Sequence, residues 1–219
     1  MLKVQNLNKA YDKIHIFEDI TFDIPRGAIV SLLGENGIGK TTLLKIIGGL
    51  IDFQGSISWN NISLKNDFNM YISNIAYIPN TPFLYDYLTA NEMIDLMIDL
   101  TPKERQKEQF IYKQELVRKL NLEKYKDILI KNLSLGTKQK ISYMISFINS
   151  PSLILIDEPF VNFDNTSLEI ILDFIRNFIK ANNSTIIFAT HSEDPRISSI
   201  ITHKVFIESS KIVNAPKEK

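Results

Sequence analysis

The chain has 219 residues, 44% hydrophobic and 23% charged, enough for one globular domain with an appended lobe and unlike a disordered or fibrous composition. Its 25 lysines and arginines balance 25 aspartates and glutamates, which argues against a nucleic-acid partner, and with no cysteine it can build no disulfide framework, thiolate metal site or cysteine nucleophile. Met1-Leu2-Lys3-Val4-Gln5-Asn6 reads as a strand and not as a signal segment, and no apolar run approaches the ~20 residues that cross a bilayer, so membrane association is expected only through a partner.

The first third alternates short β-type runs with turns, at 1–7, 14–24, 28–33, 55–59 and 74–78, and predicts a β-rich lobe. Within it, Gly34-Glu35-Asn36-Gly37-Ile38-Gly39-Lys40-Thr41 fits the phosphate-loop pattern G-x-x-x-x-G-K-[ST]. An apolar strand precedes it, and a helix over 40–47, stopped by Gly48-Gly49, follows. Glycines let the backbone curl close to an anion, and bare amides at a positive helix end then cradle it. Gly34, Glu35, Asn36, Gly37, Ile38, Gly39, Lys40, Thr41 and Thr42 are therefore the predicted phosphate-binding set. Lys40 is expected to reach the β and γ phosphates of a nucleotide, and the Thr41 hydroxyl to ligate Mg²⁺.

The middle third changes period. Thr89 and Glu92 form a capping-box pattern ahead of Met93, Ile94, Leu96, Met97 and Leu100, and a charged helical stretch follows over 103–120. This predicts an inserted helical lobe over about 81–149, against a β lobe and core formed by 1–80 and 150–219. Phe83, Tyr85 and Tyr87 read either as plain core or as part of a groove for a membrane partner. Ser134 reads as the N-cap of a helix, a second helix start suited to an anion.

The last third returns to nearly continuous apolar runs at 153–156, 185–189 and 203–207, separated by a helix over about 166–181, the pattern of a parallel sheet buried on both faces. The segment 206–219 turns polar and is expected to fray. The run 153–156 ends in Asp157-Glu158. A strand end places Asp157 at the carboxyl edge of the sheet, beside the phosphate loop, where it is predicted to serve the metal. Alternation along the strand then turns Glu158 toward the γ-phosphate as the group that polarises the attacking water.

Between the two motifs, Leu133-Ser134-Leu135-Gly136-Thr137-Lys138-Gln139-Lys140 resembles the signature of the ABC (ATP-binding cassette) ATPase family, written LSGGQ. The resemblance implies an α/β fold of the P-loop NTPase class, with a mostly parallel core sheet, an N-terminal antiparallel β lobe and an inserted α-helical lobe. It implies an ATPase using ATP and Mg²⁺, in which the signature of one subunit, through Ser134 and Gly136, closes on the nucleotide held by another. By the same resemblance Tyr11 matches the aromatic that stacks on adenine, and Pro79-Asn80 the switch loop whose side chain reaches the metal. Asn162-Phe163-Asp164 matches the loop that crosses to the partner, and His191 the switch histidine that senses the γ-phosphate.

Two departures stand out: Asn80 has one methylene less than the usual glutamine, and Leu135 and Thr137 replace Gly and Gln. The form LSxGxKQ(K/R) is similar to that of small drug, peptide and bacteriocin exporters. The implied partners are a second cassette, identical or not, and integral membrane permease subunits that hold the chain at the cytoplasmic face of the membrane. An ABC-type ATPase acting in DNA repair, translation or iron–sulfur assembly is the alternative.

Overall fold

A computed structural model describes residues 1–190, 194–208 and 211–215. Alternation of inward apolar and outward polar residues builds its first sheet. Strands β1 (Leu2–Tyr11) and β2 (Ile14–Ile24) pair antiparallel. Between them Asp12 takes a φ of 52°, a left-handed turn position that aspartate tolerates. β1 runs beyond the predicted 1–7 because bulges absorb its polar interruptions: Asn6 and Asp19 both take positive φ, and the Asn6 amide donates to Asp19 at 2.7 Å.

The second sheet begins with β3 (Ile29–Leu33), whose chain passes through the glycine-rich loop into α1 (Lys40–Ile47). β4 (Gln54–Trp59) and β5 (Ile62–Ser63) then return to the first sheet, giving the order β2-β1-β4-β5. A short α2 (Phe68–Ile72) leads to β6 (Ile75–Ile78).

Three helices follow, α3 (Ala90–Asp99), α4 (Lys103–Lys119) and α5 (Leu135–Phe147), and pack on one another. The capping box at the start of α3 forms as predicted, with the Glu92 amide donating to the Thr89 hydroxyl at 3.2 Å and the Thr89 amide to the Glu92 carboxylate at 2.7 Å. Buried Lys113 of α4 pairs with Asp95 of α3, which offsets the cost of taking its ammonium out of water. No helix among the described residues is long and apolar enough to cross a membrane.

The chain then completes the second sheet with β7 (Leu153–Asp157), α6 (Asn165–Asn182), β8 (Thr185–Ala189), α7 (Pro195–Ile200), β9 (His203–Glu208) and β10 (Lys211–Ala215). Its order is β10-β9-β3-β8-β7-β6, with only β10 antiparallel to its neighbour. The expectation that 206–219 frays is thus corrected for 206–208 and 211–215. β9 runs to Glu208, and 211–215 form an edge strand, because the open backbone edge of β9 supplies hydrogen-bond partners that do not depend on apolar side chains. Residues 216–219 lie outside the described residues.

The continuous apolar strands follow from burial on both faces. Leu153 and Leu155 of β7, with Ile187 of β8 and Val30 of β3, face a core completed by α1 and the first sheet. Ile154, Ile156, Ile186 and Ile29 face the opposite core, completed by α3 to α6. Trp59 of β4 is fully buried, and its indole N–H donates to the Ser152 hydroxyl at 2.7 Å, fastening the first sheet to the root of β7.

Candidate nucleotide site

The carboxyl ends of four adjacent strands converge on the phosphate loop. Leu32 pairs with Ala189, Ala189 with Asp157, and Ile78 with Ile156 one residue earlier, so the ends of β3, β8, β7 and β6 lie side by side. Ligands bind at such an edge in open α/β sheets because the loops diverge there and helix starts point into the gap.

The glycines of the loop have distinct reasons to be glycine. A Cβ on Gly34, at φ 147°, would approach the Ile207 carbonyl oxygen to 2.7 Å. One on Gly39, at φ 113°, would meet Ile16 at 2.7 Å and Phe17 at 2.9 Å, which seals the turn end of the β1–β2 hairpin against the start of α1. Gly37, at φ 78°, borders open space, with nothing within 4 Å of a built Cβ. The two packed positions fix the loop, and the open one leaves a cradle with bare backbone.

Lys40, buried at the first position of α1, donates to the carbonyls of Gly34 and Glu35 at 2.8 and 2.9 Å, so its ammonium is held inside the curl of the loop. Burial pulls that ammonium below the ordinary lysine range, and the carboxylates of Glu158 and Asp157 oppose the shift. Beside it the Thr41 hydroxyl lies 3.0 and 2.9 Å from the two oxygens of Asp157, which is itself buried. A hydroxyl and a carboxylate converging next to a phosphate cradle form the hard-oxygen donor set that suits Mg²⁺, and the residues present fit that ion. Thr42 follows on α1 and is half-buried.

Glu158 stands one residue past the end of β7, in a left-handed conformation with φ 51°, its amide donating to the Ala189 carbonyl at 2.9 Å. The alternation argued from sequence therefore does not govern it, because alternation applies within a strand and β7 ends at Asp157. What redirects Glu158 is a sparsely populated backbone conformation held by a bond to the neighbouring strand end. Asn80 is exposed just after β6. Thr190 is buried at the end of β8, whereas His191 lies outside the described residues.

Tyr11 closes β1 and is 46% exposed, at the hairpin end anchored to Gly39 through Ile16 and Phe17. Ser134 caps α5: its hydroxyl accepts from the Thr137 amide at 3.2 Å and lies 2.9 Å from the Thr137 hydroxyl. A Cβ on Gly136 would stand 2.5 Å from the Asn162 carbonyl oxygen, so glycine is required there for contact with the loop after β7. That packing was not legible in the sequence. Asp164 is the N-cap of α6, accepting from the Ser167 amide at 2.7 Å, which holds its carboxyl below the usual range. Phe83, Tyr85 and Tyr87 are 80%, 51% and 79% exposed, which removes the core reading for them. Sequence reasoning also missed Tyr77 of β6, whose phenol is pushed up to about 12 by burial and, secondly, by Asp157.

Three comparisons bear on this arrangement. The sequence profile of the ABC transporter family matches residues 17–161. The chain is 32% identical over 194 residues to the ABC-type transporter ATP-binding protein EcsA of Bacillus subtilis, covering 87% of this chain and 77% of that protein. It is 34% identical over 221 residues to the lantibiotic transport ATP-binding protein SrtF of Streptococcus pyogenes, covering 97% of this chain and 89% of that one. Among solved structures, an ATP-binding subunit of an ABC transporter superposes with a TM-score of 0.87 at 29% identity, over 99% of this chain and 90% of that one.

Proposed function

The chain belongs to the ABC transporter family, and from that premise we propose that it binds and hydrolyses ATP with Mg²⁺, closes on a second cassette and drives a membrane-spanning partner. The observation that carries the reading is the presence of two separated helix starts suited to phosphate. The first, at α1, holds Lys40 and the Thr41–Asp157 pair. The second, at α5, begins at Ser134. Tyr143 of α5 donates to the Pro159 carbonyl at 3.0 Å, close in sequence to Asp157, while Ser134 lies nine residues nearer the helix start. At the helical rise this is roughly 13 Å further along the axis. This separation supports the reading in which Ser134 serves a phosphate held by another subunit and not the one in its own loop.

In this reading the loop amides and Lys40 bind the β and γ phosphates, and Thr41, Asp157 and Asn80 would hold Mg²⁺, which would supply charge neutralisation at the phosphate oxygens. Glu158 polarises the attacking water, His191 senses the γ-phosphate, and Tyr11 stacks on the base. Export is supported by the LSxGxKQ form of the signature and by similarity to a protein named for lantibiotic transport. Exposed Phe83, Tyr85 and Tyr87 offer an apolar surface to the permease, which would hold the chain at the cytoplasmic face of the membrane.

Mixing two inactive subunits tests the proposal. Ser134→Ala is expected to leave ATP binding nearly unchanged and to cripple turnover, because the second helix end is needed only when the site closes. Lys40→Ala lacks nucleotide. A mixed dimer keeps one composite site, built from Lys40 of the first subunit and Ser134 of the second, and should recover part of the activity. No recovery in a mixed dimer verified by cross-linking refutes independent composite sites.

A further inference from the structure

Tyr11 and Lys9 stand two apart on β1, across a register shift between Lys9 and Ala10, and the Lys9 ammonium lies over the Tyr11 ring, 4.7 Å from its centroid. The same ammonium donates to the Asp52 carbonyl at 2.8 Å, in the segment that joins α1 to β4. Lys9 is therefore tethered at both ends: by its backbone to β1, and by its head group to the chain leaving the phosphate-loop helix. Ring and phosphate loop already share one rigid support, since Ile16 and Phe17, beside the turn that Tyr11 closes, press on Gly39.

We propose that Lys9 is a positioning residue for the nucleotide base: it occupies one face of Tyr11, fixes the ring's orientation, and leaves the opposite face as the single platform on which the base stacks. This rests on the reading of Tyr11 as the base-stacking aromatic. A cation on one face of a ring draws π-electron density toward itself, which favours an electron-rich purine on the other face. It also removes rotational freedom that the ring would otherwise lose on binding. An exposed tyrosine with both faces open would give a base two competing positions, only one of which suits a triphosphate already seated in the loop.

Calorimetric titration with Mg-ATP and with Mg-tripolyphosphate, which shares the phosphates and lacks the base, separates the possibilities. Lys9→Met keeps the aliphatic stem and removes the cation. It is expected to weaken ATP binding roughly two- to five-fold, the range of a partly exposed cation–π contact, while tripolyphosphate affinity stays the same. Lys9→Arg should restore ATP binding, and in a Tyr11→Ala background Lys9→Met should add nothing further. Equal weakening of ATP and tripolyphosphate by Lys9→Met overturns the proposal in favour of plain charge attraction. If Tyr11→Ala weakens ATP binding and Lys9→Met does not, the role of Lys9 fails while the stacking role of Tyr11 survives. If Tyr11→Ala leaves ATP affinity unchanged, the platform itself is refuted, and Lys9 with it.

Discussion

Gly136→Ala tests whether the signature helix and the loop after β7 form one unit. The glycine sits in the first turn of α5 without a positive φ, so alanine suits its backbone, and in an exposed helix the change would stabilise by up to about 1 kcal/mol. Here the added methyl would stand 2.5 Å from the Asn162 carbonyl oxygen. To reach ordinary contact, helix and loop must part by about 0.9 Å. That oxygen belongs to the backbone and has no rotamer to escape into. Overpacking of this kind costs about 1–3 kcal/mol, which at its low end cancels the propensity gain and otherwise leaves a net loss of up to about 2 kcal/mol. For a chain of this length that lowers the melting temperature by up to roughly 8 °C. Differential scanning calorimetry measures the shift, and an ATPase assay at 25 °C, with the protein still folded, should show a further drop in turnover as Ser134 moves relative to the loop. A rise in melting temperature with unchanged turnover would refute the reasoning, because the contact with Asn162 would then be absent and only helix propensity would act.

Lys40→Ala should abolish tight Mg-ATP binding in a calorimetric titration, since the ammonium held by Gly34 and Glu35 is the main point charge facing the phosphates; unchanged affinity would reduce the loop to a turn. Glu158→Gln should bind ATP and lose turnover while accumulating as an ATP-dependent dimer on size exclusion, and a fully active monomeric variant would contradict its assigned role. Hydrogen bonds from Thr89 to Glu92 and from Ser167 to Asp164 hold both carboxyls below their usual range. The stability they contribute is therefore present above pH ~4 and is lost as pH falls through their folded-state values. Urea midpoints between neutral pH and pH ~3 should fall less steeply in Glu92→Gln than in the wild type, and identical slopes would assign the acid sensitivity elsewhere.

Much of the arrangement could be read before any coordinates. The loop at 34–41 is legible because spacing and residue type encode a turn from strand to helix, and Asp157 because it ends the apolar run of β7 at the carboxyl edge of the sheet. The capping box of α3 is a local device with local partners, so it too could be read. What stayed hidden depends on distant partners. β10 exists because β9 leaves an open edge, which no property of 211–215 announces. Gly136 needs the carbonyl of Asn162, and Gly39 needs Ile16 and Phe17, side chains brought there by a hairpin far away in sequence. Glu158 was read by strand alternation, but its direction is set by φ 51° and a bond to Ala189, a backbone event with no pattern in side-chain types.

The sheet divides its neighbours between two faces, with α1 and the first sheet on one and α3 to α6 on the other, and successive residues of β7 alternate between them. A substitution at Leu155 is felt by the phosphate-loop helix, and one at Ile156 by the helical lobe, with only strand backbone in common. Such a division lets the lobe diverge without disturbing the machinery that holds phosphate. Substitutions at 154, 156 and 186 are therefore expected to spare the packing of α1, and those at 153, 155 and 187 to spare the packing of α3 to α6.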